Sequence, residues 1–121
     1  MVEGIFDVAT HFGGRLPELL AGSSCNDLSV PAIYPSSCIP QAWASAAPLL
    51  MVRSLLRLDP WLSHDELWLA PALPDSFGEF SLHNVRVGDD RVTINGDGSV
   101  QGLSAAVTVH NYARYPTAEL R

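Results

Sequence analysis

Apolar residues recur at three- and four-residue steps at the start of the chain. Val2, Ile5, Phe6, Ala9 and Phe12 fall on one helical stripe, and Gly13-Gly14 follow as a stop. The spacing predicts a short helix over 2–12. The pattern then dissolves from Arg15 to Cys38, where three prolines, Ser23-Ser24 and Asn26-Asp27 interrupt any period. Loops longer than about 12–15 residues are uncommon inside compact domains and are usually functional, which makes this segment the first functional pointer. A second helix, of about five turns, is expected from Pro40 to Leu58, with Pro40 suited to its first turn. Between Ala42 and Val52 only Ser45 is polar, so this helix is apolar on nearly every face and expects neighbours all round. Pro48 in its interior removes one hydrogen bond and predicts a bend near Ala44.

After Asp59-Pro60 the period becomes two. Leu67 and Leu69, then Phe80, Leu82, Val85 and Val87, then Val92 and Ile94, and last Ala105 to His110 read as strands. Pro71, Pro74-Asp75, Gly88-Asp89-Asp90 and Gly96-Asp97-Gly98 supply turn chemistry between them, and a small antiparallel sheet is the expected product. Residues 111–121 show no period and are expected to be a poorly ordered tail.

Length and composition narrow the function. A chain of 121 residues allows one small domain, too little for a large catalytic barrel with its own complete cleft. With 47% hydrophobic residues it has the composition of a packed chain. Seven basic residues, all Arg, against thirteen acidic ones leave a net charge of -6. That sign disfavours partners that present phosphate, so nucleic acid and anionic membrane are set aside. No apolar run approaches the ~18 residues of a membrane span, and the first residues lack a basic leader, so a cytoplasmic protein is expected. Cys25 and Cys38 have no metal-ligand spacing and read as free thiols. His11, His64, His83 and His110 are scattered and receive no role, and neither a metal nor a cofactor is expected.

Three blocks, RLPELLAG (15–22), VPAIYPSSCIPQAWASAAPLL (30–50) and LWLAPALPDSFGEFSLHNVRVGDDRVTI (67–94), occur in an order that resembles the C-terminal end of bacterial glycogen-debranching, amylo-α-1,6-glucosidase-like proteins. The resemblance covers residues 2 to about 110. It implies an α+β chain made of the last helix pair of an (α/α)6, glucoamylase-like toroid followed by a small antiparallel sheet. Residues 1–60 would be the toroid part, including the long loop 15–38 as an active-site loop, and 61–110 the β-segment. A whole toroid has about twelve helices, so the chain is expected to be part of a longer enzyme.

The same resemblance assigns chemistry. Inverting glycoside hydrolysis needs two carboxyl groups about 6.5–9.5 Å apart, an acid for the leaving oxygen and a base for the attacking water. Glu18, in the LPELL block, aligns with the family's glutamate and is the candidate general base, while the acid would come from outside this chain. Tyr34, Gln41 and Trp43 are the candidate sugar contacts, because aromatic faces pack on pyranose C–H surfaces and an amide pairs with hydroxyls. Asp27 reads as a turn carboxylate, and Trp61 and Trp68 as packing residues. Leu20, Ser23-Ser24-Cys25 and Ile39 depart from the family pattern, which puts sugar specificity in doubt. Loss of one carboxylate of such a pair costs roughly 10²–10⁴-fold, so the chain alone is expected to be inactive on an α-glucan or α-glucoside. Its apolar helix predicts self-association or a complementing chain. The competing expectation is a non-catalytic carbohydrate- or protein-binding module.

Overall fold

The computed structural model describes residues 2–24 and 26–114. They form two helices, α1 (Val2–His11) and α2 (Ala42–Leu56), and six strands: β1 (Asp59–Trp61), β2 (Glu66–Trp68), β3 (Ser81–Val87), β4 (Asp90–Asn95), β5 (Val100–Gln101) and β6 (Thr108–His110). The chain divides into two compact units, one ending at Val52 and the other starting at Arg53.

This small α+β arrangement overturns the expected toroid: the described residues hold two helices and two three-stranded sheets, and no (α/α)6 ring. The physical reason lies in the helices. A toroid pair needs two long helices sharing an apolar seam, but α1 has 10 residues, about 15 Å, and none of them is buried.

In the first unit, α1 stops where its pattern says it should. The Gly14 N–H donates to the Ala9 carbonyl at 2.8 Å and the Gly13 N–H to that of Thr10 at 3.3 Å, a paired cap that needs left-handed backbone, with φ of 58° at Gly13 and 79° at Gly14. The segment expected to be a long irregular loop holds no helix or strand among its described residues, and it doubles back on itself. The Ala21 N–H donates to the Ala32 carbonyl at 2.8 Å, the Tyr34 N–H to that of Leu19 at 3.3 Å, and the Glu18 N–H to that of Cys38 at 3.0 Å, with Leu20 and Ile33 bridged antiparallel. Two chain runs thus satisfy each other's backbone groups without becoming regular strands. α2 begins at Ala42, later than expected from Pro40, because the Gln41 N–H is taken by the Leu16 carbonyl while the Gln41 carbonyl accepts from the Ser45 N–H. The helix runs through Pro48. Its expected all-round cover is not there: Ala44 and Leu56 are buried, whereas Trp43, Leu49 and Leu50 are 62%, 73% and 63% exposed.

In the second unit, α2 ends before the expected Leu58 because Arg57 turns left-handed at φ 47°. All four terminal carbonyls that a helix leaves unpaired are nonetheless satisfied. Leu58 and Arg57 N–H groups cap Arg53 and Ser54 at 3.0 and 3.1 Å, and those of Ala72 and Ala70 reach Leu55 and Leu56 at 2.7 and 3.1 Å. The segment after β2 is therefore pinned to the helix end.

The expected single antiparallel sheet is corrected to two. β3, β4 and β5 form an antiparallel sheet, with a bulge between Leu82 and Val85 where Asn84 has φ 59°. The other sheet, ordered β1-β2-β6, is mixed: β1 runs antiparallel to β2, but β6 runs parallel to it, placing Val109 beside Leu67 and His110 beside Trp68. Alternation marks a strand's faces but not its partner, so β6 could not be paired from sequence. Leu67 and Leu69, two residues apart, are fully buried with Leu56 and Ile94, and Val87 and Val92 complete this core. Among the tail residues that are described, Arg114 lies 3.5 Å over the Trp61 ring and donates to Asp59 at 3.5 Å; residues 115–121 lie outside the described set.

Candidate functional site

Glu18 sits on the doubled-back segment, between buried Pro17 and exposed Leu19. Its backbone is held on both sides: its own N–H bonds to the Cys38 carbonyl, and the Leu19 N–H donates to the Ser37 hydroxyl at 2.9 Å. Leu16 joins the same segment to the start of α2, its carbonyl accepting from the Gln41 N–H at 3.2 Å and from the Ser45 hydroxyl at 3.5 Å. These bonds place Glu18 and Trp43 on the wall of one groove of about 240 Å³, which α1 and α2 line with Ile5, Val8, Ala47 and Met51. The groove is apolar apart from the Glu18 carboxylate, and among the described residues no second carboxylate lines it. Its volume lies below the ~300–1,000 Å³ of ordinary small-molecule pockets.

Of the four residues singled out from sequence, the structure brings two together. Tyr34 is on the opposite run of the doubled-back segment, 49% exposed, with its N–H on the Leu19 carbonyl, and it does not line the groove. Gln41 acts here through its backbone, at the start of α2, and is not a lining residue either. Trp43 is largely exposed and not a core residue. No group of three His, Cys, Asp or Glu among the described residues could hold a metal ion. Cys38 is exposed and unpaired, and Cys25 lies outside the described residues. No described helix is long and apolar enough to cross a membrane.

Two features escaped the sequence reading. The first is a second cleft in the same unit, walled by α1 and the 20–32 segment, with Asp7 and His11 among its lining residues. The signal was present in their spacing of four on a helix, but helical spacing does not say which face meets a neighbour. The second is a ring cluster on the β2–β6 pair. Trp68 and His110 stack at 4.0 Å, Tyr112 stands edge-on to Trp68 at 5.1 Å, and the Trp68 indole N–H donates to Glu66 at 3.1 Å. It follows from the parallel register, which no local pattern discloses. In that cluster the His110 Nε2 is buried without a hydrogen bond, 3.8 Å from Glu66.

Comparison with protein-family models, with curated proteins and with solved structures found no match to this chain.

Proposed function

We propose that this chain supplies the Glu18-bearing part of an α-glucan-acting glycoside hydrolase of the amylo-α-1,6-glucosidase type, with no turnover of its own. The observation that carries the reading is the shared groove: Glu18, the one acidic residue lining it among the described residues, and the largely exposed Trp43 both belong to its wall. An indole face packs on the C–H side of a pyranose, and a carboxylate beside it is the group that draws a proton from water as that water attacks the anomeric carbon. The second carboxyl group, which protonates the departing oxygen, is then supplied by a complementing chain. The exposed apolar positions of α2 support such an association, since exposed apolar side chains gathered on one helix are the kind of surface a partner covers.

The test is binding and turnover measured on the same sample. Isomaltose, titrated into the ¹⁵N-labelled chain, is expected to shift the Glu18 backbone amide and the Trp43 indole N–H, and Trp43→Ala to abolish the effect. Glucose release is expected to equal the buffer blank. Saturating isomaltose without any change at Glu18 or Trp43 overturns the reading.

A further inference from the structure

Asp7 and His11 stand one turn apart on α1, and positions spaced by four share a helix face. Both reach the second cleft, which has a volume of about 440 Å³, inside the range of small-molecule pockets. Among the described residues neither side chain has a hydrogen-bond or ion-pair partner. A carboxylate and an imidazole are thus left open at one wall of a cavity. The wall from the 20–32 segment is mainly apolar, with Leu28, Val30 and Pro31, and carries two hydroxyls, on Ser23 and Ser29.

That division of the walls defines a ligand. It needs hydroxyl groups along one edge and a C–H face on the other side. It carries no negative charge, because Asp7 lines the cleft and the net charge of the chain is already -6. A carboxylate accepts from two hydroxyls at once, and an imidazole both donates and accepts, so adjacent hydroxyls suit the pair better than an isolated polar group.

We propose that this cleft binds a small neutral polyhydroxylated molecule the size of one pyranose, with Asp7 accepting from adjacent hydroxyls, His11 pairing with the next, and Val30 and Pro31 against the C–H face. The choice of a sugar rests on the carbohydrate reading above; the existence of the site does not. Val8 and Leu20 line both this cleft and the Glu18 groove, so the two sites share a wall without sharing their polar groups.

Methyl α-D-glucopyranoside, titrated into the ¹⁵N-labelled full chain, is the probe. Saturable shifts are expected at the amides of Val8, His11 and Val30. Asp7→Ala is expected to weaken binding about tenfold or more, the scale of a lost hydrogen bond to a charged group. His11→Ala should weaken it several-fold. Both side chains are exposed on a helix with no fully buried residue, and an unchanged circular dichroism spectrum identifies variants that keep the fold. His83→Ala, on β3 in the other unit, is expected to leave this binding unaltered. Absence of saturable shifts, or shifts that Asp7→Ala leaves intact, overturns the proposal. Shifts at Glu18 and Trp43 alone overturn it while sparing the proposed function, and shifts at Asp7 and His11 alone do the reverse.

Discussion

Arg57→Gly should stabilise the protein, although it deletes a side chain from the end of α2. Arg57 has φ 47°, in the left-handed region, where its Cβ crowds the neighbouring carbonyl. For an L-residue this costs about 1–2 kcal/mol. Glycine adopts it freely, but gives up about 0.5–1 kcal/mol through the larger freedom of the unfolded chain. The Arg57 side chain is exposed and makes no hydrogen bond or ion pair among the described residues, so nothing else is lost. The cap bonds at Arg53 and Ser54 come from backbone N–H groups that glycine keeps. The net gain is about 0.5–1 kcal/mol, or about 3–6 °C in Tm for a unit of this size. Urea and thermal unfolding followed by the fluorescence of Trp61 and Trp68 measure it. Arg57→Ala is the control: it removes the same side chain, retains the strain, and should move stability by less than about 0.5 kcal/mol. If Arg57→Gly is no more stable than Arg57→Ala, the strain is not there and the account of how α2 ends is wrong.

Gly102 is the opposite case. It has φ 83°, and an added Cβ would lie 2.8 Å from the Arg91 carbonyl oxygen, which is backbone and cannot swing away. Gly102→Ala should therefore cost at least about 2 kcal/mol, read from the urea midpoint, by adding a contact to a left-handed strain. At the β4–β5 turn, Asp97 accepts from the Ser99 hydroxyl at 2.7 Å and the Ser99 N–H at 2.8 Å, and these bonds, the hydroxyl first, hold its carboxyl below the usual aspartate range. A lowered folded value means that the turn's stabilisation is complete above the unfolded aspartate value and is lost as pH falls through the folded one. An NMR titration of the Asp97 carboxyl should show the low midpoint in the native chain and a higher one in Ser99→Ala.

Local chemistry was legible where neighbours in sequence decide the outcome. The stripe from Val2 to Phe12 and the Gly13-Gly14 pair sufficed for α1 and its stop, since both the bonds and the left-handed turns lie within six residues. The alternation of Leu82, Val85 and Val87 with Val92 and Ile94 sufficed for the β3–β4 hairpin, whose strands pair across a short turn. The bulge at Asn84 also leaves a trace, since Leu82 and Val85 stand three apart while their partners Ile94 and Val92 stand two apart, a break that reading the run as plain alternation passes over. β1 and β5, of three and two residues, are too short to show a period at all. At the candidate site, Glu18 and Trp43 were named from their residue chemistry and motif, but their meeting on one groove depends on Leu16, whose carbonyl joins two segments far apart in sequence.

The sequence by itself determined the two helices, the main hairpin, the acidic charge and the breaks between elements. These follow from backbone bonds and side-chain periods spanning a few residues. Only the tertiary structure decided that residues 15–38 pair with themselves, that α2 is left largely uncovered, and that β6 lies parallel to β2. Each is a choice of partner across a long stretch of chain. Such a choice is made by the sum of packing and hydrogen bonds available after the local pieces have formed, and no period along the chain encodes it.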